Sequence, residues 1–119
     1  MTPQRYHAVT PRIVVDDVDG QIGFLRAVFN ATGAVSPGRP AEVQIGDSIV
    51  LVSDGGEARG THNAFLYVYV ADADATYERA VAAGAVTIEP PLDTPYGDRR
   101  AMVRDPFGNT YQIAHRLDP

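Results

Sequence analysis

The sequence predicts an α+β fold of two βαβββ modules whose curved mixed sheets surround a cavity. Three observations carry that expectation. Val14-Val15-Asp16-Asp17 leads into a helical stretch closed by Thr32-Gly33-Ala34-Val35, and Tyr69-Val70-Ala71-Asp72 leads into one closed by Ala83-Gly84-Ala85-Val86. A further echo sets Gly46-Asp47 against Gly97-Asp98. The strand-end marks repeat at a spacing about four residues longer than the glycine marks, so the first helix is expected to be about one turn the longer. The modules are placed at about 8–54 and 63–116, joined by a linker at about 55–62, within a single domain of 1–119.

Alternation over Ala8 to Val15 predicts the first strand, with Pro11 demoting its start to an edge or bulge. Asp16, Asp17 and Asp19 supply capping oxygens where helix N–H groups lack partners. Val18, Ile22, Leu25 and Phe29 make one apolar stripe, and Gly33 is expected to end that helix. Pro37-Gly38-Arg39-Pro40 is a turn. Glu42–Ile45 and Ser48–Val52 follow as a hairpin through Gly46-Asp47. The glycine-rich stretch from Asp54 to Thr61 is a linker and not a phosphate cradle, because no helical pattern follows it.

In the second module, Ala64 to Val70 is the strongest strand, with aromatic rings at 65, 67 and 69 on one face. Asp72 and Asp74 open the second helix, Tyr77 and Val81 lie on its packing face, and Gly84 closes it. Val86–Ile88 is a short strand, and Glu89–Pro95 is expected to be a proline-broken loop. Ala101–Arg104 and Thr110–Ala114 form the last hairpin, through a type I turn at Asp105-Pro106-Phe107-Gly108.

Composition narrows the function. A net charge of -5 and a pI near 4.9 argue against a nucleic-acid partner. No cysteine is present, which excludes disulfides, thiolate metal sites and cysteine nucleophiles. The N-terminus lacks an apolar signal core and no run approaches the roughly 18 residues of a membrane span, so a soluble cytoplasmic protein with no membrane partner is expected. All ten positive charges are arginine.

The duplicated unit, the Asp-Pro-Phe-Gly-Asn turn at 105–109 and the Tyr96-Gly97-Asp98-Arg99 loop resemble the vicinal oxygen chelate superfamily. That group holds glyoxalase I, extradiol dioxygenases, fosfomycin-resistance enzymes and bleomycin-resistance proteins. The resemblance runs from Val9 to His115, is most specific in the last fifty or so residues, and is strongest to small two-module members. In its metal-dependent members, His, Glu or Gln side chains from the first and last strands of each module hold a divalent ion. The matching positions here carry Thr10, Leu51, Phe65 and Gln112. Only Gln112 has a donor, so no metal and no cofactor are expected. His7, His62 and His115 make a poor alternative set, since alternation turns His115 away from Gln112.

The resemblance turns Phe65, Tyr67 and Tyr69 inward with Thr10, Arg12 and Gln112. Such a lining suits an aromatic or planar small-molecule ligand. The residues alone leave open a second placement, in which the three rings fill a closed core. Tyr96, Asp98, Arg99, Arg100, Met102 and Arg104 lie on or beside the penultimate strand, where the resemblance implies a loop over the cavity mouth. There an arginine recognises a carboxylate or phosphate, or Asp98 and Arg99 simply order the loop. No catalytic triad or nucleophile elbow is present. The first functional expectation is a metal-independent small-molecule-binding protein, such as a drug-sequestering resistance protein, working as a homodimer. The alternative is a lyase, isomerase or other enzyme of the same superfamily with a reduced or absent metal site.

Overall fold

The structure is a computed structural model that describes residues 2, 5–56 and 60–118. It forms two compact units, Met1–Ala64 and Phe65–Pro119. Of the expected linker, residues 57–59 lie outside the described residues.

The first unit comprises β1 (Arg12–Val14), α1 (Val18–Phe29), β2 (Ala41–Ile45) and β3 (Ser48–Ser53). The sheet order is β1-β3-β2, with β1 parallel and β2 antiparallel to β3. Only three residues of the long first strand expected at 8–15 form regular ladder. Pro11 lacks an N–H, and its carbonyl makes the last pairing contact by accepting from Leu51 N at 2.9 Å. The Asp17 carboxylate caps α1 by accepting from Gly20 N. The helix buries Ile22, Leu25 and Phe29 as expected, together with Gln21, Phe24 and Val28, a wider stripe than the sequence pattern showed. Against it pack Ile13, Val43, Val50 and Val52, which supply the core of this unit.

Two sequence expectations fail here. Asn30, at φ 55°, ends α1 in the left-handed conformation, because its short polar side chain tolerates that region. Gly33, at φ 124°, serves a close approach instead: a Cβ there would stand 2.3 Å from the Glu42 carbonyl oxygen, beside the Thr32↔Gln44 bridge. Moreover, α1 has 12 residues against 10 in the second helix, half of the expected difference.

The second unit comprises β4 (Phe65–Tyr69), α2 (Ala73–Ala82), β5 (Val86–Asp93), β6 (Asp98–Arg104) and β7 (Thr110–Arg116), with sheet order β4-β7-β6-β5. The parallel β4–β7 pair matches β1–β3: Val70 N donates to Ala114 O as Val15 N donates to Ser53 O. By that register β3 corresponds to β7 and β2 to β6. Gly46-Asp47 and Gly97-Asp98 therefore close different hairpins, and their echo reflects shared turn chemistry. The segment at 30–47 is shorter than its counterpart at 83–109, and the first sheet has three described strands instead of four.

The expected loop at Glu89–Pro95 is largely strand. Pro90 and Pro91 sit in β5, an edge strand, where two register shifts accommodate residues that cannot donate. Helix α2 covers one face of the sheet, burying Ala101, Val103, Tyr111 and Ile113 against Ala73, Thr76 and Ala80. The opposite face carries the candidate site.

Candidate functional site

Register places four rows of side chains on the face away from α2. Phe65, Tyr67 and Tyr69 come from β4, with Thr110, Gln112 and Ala114 beside them on β7. Arg104, Met102 and Arg100 follow on β6, then Val86, Glu89 and Leu92 on β5. Phe65 is 65% exposed, Tyr67 38% and Tyr69 59%, so the three rings do not fill a closed core. The Tyr67 and Tyr69 rings lie 5.3 Å apart at 56°.

Asp98 organises this face. Its Oδ2 accepts from the Tyr67 hydroxyl at 2.6 Å and the Tyr69 hydroxyl at 2.8 Å, and its Oδ1 accepts from Arg116 Nη1 at 2.8 Å. The residue itself is buried. The Tyr67 hydrogen bond, then those from Tyr69 and Arg116, hold its carboxyl below the usual carboxylate range against the opposing effect of burial. The Tyr67 hydroxyl is pushed far above the ordinary phenol value by burial and by the bond to Asp98. The backbone around Asp98 is fixed by a tight turn. Thr94 Oγ1 accepts from Asp98 N at 3.0 Å, Thr94 N donates to Asp98 O at 2.8 Å, and Gly97 takes the positive φ the turn requires.

Tyr96 stands at the rim, its hydroxyl oxygen 3.4 Å from that of Tyr67 and accepting from Arg100 Nη1 at 3.0 Å. The neighbouring Tyr67 hydroxyl and the Arg100 guanidinium draw the Tyr96 hydroxyl below the ordinary phenol value. Arg100 also pairs with Glu89. Arg104 is exposed and makes no side-chain hydrogen bond or ion pair among the described residues.

The structure thus gathers Phe65, Tyr67, Tyr96, Asp98, Met102, Arg104 and Gln112 on one face. Arg99 does not join them: alternation sends it to the α2 side, where it pairs with Asp74 at 3.2 Å and Asp93 at 3.1 Å. His115, also on that side, accepts from Ala73 N through Nδ1 at 2.8 Å and so caps α2. Thr10 and Arg12 belong to the first unit, where Arg12 lines a cavity of its own. Sequence reasoning named Tyr69 and Arg100 and missed Arg116. Tyr69 shares the alternation of Tyr67 and was legible, whereas Arg116 meets Asp98 only through the β6–β7 register.

The family model described as Glyoxalase/Bleomycin resistance protein/Dioxygenase superfamily matches residues 5–113. The chain belongs to this superfamily. An uncharacterized protein of Mycobacterium bovis is 32% identical over 89% of this chain and 81% of its own length. Among solved structures, TioX from Micromonospora sp. ML1 shares 29% identity with a TM-score of 0.79, covering 93% of this chain and 99% of that one. Lactoylglutathione lyase from Agrobacterium tumefaciens is similar in fold, at 20% identity and a TM-score of 0.70 over 97% and 96%.

The four positions that the resemblance matches to metal ligands carry Thr10, Leu51, Phe65 and Gln112, and by the β1–β3 and β4–β7 registers Leu51 corresponds to Gln112. An alkyl group, a phenyl ring, one hydroxyl and one amide do not form a donor set for a divalent ion. Among the described residues no three His, Asp or Glu side chains cluster elsewhere. No helix in the described residues is long and apolar enough to cross a membrane.

Proposed function

We propose that the protein is a metal-independent binder of small planar molecules that acts as a cytoplasmic homodimer, with drug sequestration as the physiological use this chemistry suits. One observation carries the reading: two solvent-facing tyrosines share a single buried carboxylate. Exposed rings normally sample several rotamers, and ordering them opposes binding. Here their hydroxyls are tied down, so stacking area is presented with little left to order. Met102 adds adaptable apolar surface, while Gln112 and Arg104 offer donors to a polar or anionic edge.

The test is a thermal-shift screen of planar aromatic acids, followed by affinity measurements on Tyr67→Ala and Gln112→Ala. Loss of the Tyr67 ring is expected to weaken binding by about 1 kcal/mol or more. Tyr77→Ala, on α2 with its hydroxyl bonded to Thr87, is expected to bind as the parent does. Equal affinity in both site variants and the parent would overturn the reading.

A second reading, proton transfer by an enzyme of lyase or isomerase type, draws on Tyr96. Its hydroxyl accepts from Arg100 Nη1 and has a pKa below the ordinary phenol value, the direction that eases loss and return of its proton. If that reading holds, the lowest-pH tyrosine ionisation step in an ultraviolet titration disappears in Tyr96→Phe, and any turnover disappears with it.

A further inference from the structure

We propose that the first unit holds a ligand site of its own, which takes a carboxylate or phosphate group carried on a small apolar body. The site is a cavity of about 460 Å³ whose lining includes Arg12, Arg39, Ser53, Val18, Val35 and Pro40. That volume lies within the range of small-molecule pockets, roughly 300–1,000 Å³. It is built entirely from residues before Ala64, and its argument does not depend on the tyrosine face.

Charge pairing carries the inference. The chain has 15 acidic residues against 10 arginines, so carboxylate partners for arginine are in excess. Arg5, Arg99, Arg100 and Arg116 each hold a carboxylate, and Arg26 and Arg79 bond a carbonyl and a hydroxyl. Among the described residues, only Arg12, Arg39 and Arg104 leave their guanidinium groups without a hydrogen bond or ion pair. Two of those three line this one cavity. Arg39 influences the Tyr6 hydroxyl electrostatically and does no more.

A second observation points the same way. The Ser53 hydroxyl is shielded from solvent and has no hydrogen-bond partner. A shielded hydroxyl without a partner costs free energy that a bound acceptor would recover. The cavity therefore offers two forked cations, the complement of an oxyanion, and has an unpartnered hydroxyl on one of its lining residues. Asp54 also lines it, with one oxygen accepting from Gly56 N at 3.1 Å, so two positive charges face one negative. Val18, Val35, Pro37, Pro40 and Val52 supply the wall for the apolar body.

The test is amide NMR of the full chain titrated with inorganic phosphate, phenyl phosphate and benzoate at constant ionic strength, with chloride as reference. Saturable shifts of residues around 36–40 and 52–54 are expected, followed separately from any at the tyrosine face, with phenyl phosphate or benzoate binding more tightly than phosphate. The tighter of the two identifies the anionic group. Arg12→Gln and Arg39→Gln should each weaken binding about tenfold or more, with the spectrum itself reporting an intact fold. Arg79→Gln removes an equal charge from α2 in the other unit, outside both candidate sites, and should leave these shifts unchanged. Shifts of residues 36–40 and 52–54 no larger than those from chloride, or equal weakening by Arg79→Gln, would overturn the proposal.

Discussion

Replacing Asp98 with alanine removes the acceptor shared by Tyr67, Tyr69 and Arg116. The two hydroxyls then turn to water and the rings regain their rotamers. Re-ordering each ring on binding is expected to cost roughly a twofold to tenfold loss of affinity, hence about fourfold to a hundredfold for the pair. The assay is isothermal titration with a planar aromatic acid from the thermal-shift screen, alongside NMR of the Tyr67 and Tyr69 rings. A pH series adds a sign. The folded Asp98 carboxyl titrates below the ordinary aspartate value, so the stability it contributes is fully present above that ordinary value. It is lost as pH falls through the lowered folded value. Parental stability and affinity should therefore carry an acid-limb transition that Asp98→Ala lacks. Affinity within twofold of the parent, with ring signals unchanged, would refute the clamp.

Gly33→Ala and Gly23→Ala should act in opposite directions. The first places a methyl against the Glu42 carbonyl at a strained φ and should cost about 2 kcal/mol, lowering the melting temperature by roughly 5 °C or more. The second fills open space on α1 and should gain about 0.5–1 kcal/mol. Sedimentation at micromolar concentration should show a dimer, since Phe65, Tyr69 and Val86 leave apolar surface on one face of the second sheet. A species of 12.8 kDa would contradict that expectation. Elemental analysis after purification without chelator should find well under one divalent ion per chain; a stoichiometric ion lost in Gln112→Ala would contradict the reading of the donor positions.

The sequence by itself determined the alternating faces. Rings at 65, 67 and 69 share a side because side chains alternate along a strand. It also marked both helix starts, where Asp17 and Asp72 cap free N–H groups. The Asp105 turn was legible too: Gly108 N closes it onto the Asp105 carbonyl, and the Asp105 carboxylate gathers Phe107 N and Asn109 N. What the tertiary structure alone decided were matters of register and non-local pairing. The Gly-Asp echo suggested equivalent hairpins, yet the parallel β1–β3 and β4–β7 pairs align β3 with β7, because strand pairing follows backbone hydrogen bonds and not turn composition. Pro90 and Pro91 broke the sequence pattern but not the strand, since an edge strand with bulges tolerates missing donors. Asp98 reads as an ordinary turn residue until β4, β6 and β7 lie side by side and bring two tyrosines and an arginine onto its oxygens. Arg12 and Arg39 likewise reach one cavity only after folding, because residues far apart in the chain meet through chain reversal, on which local periodicity is silent.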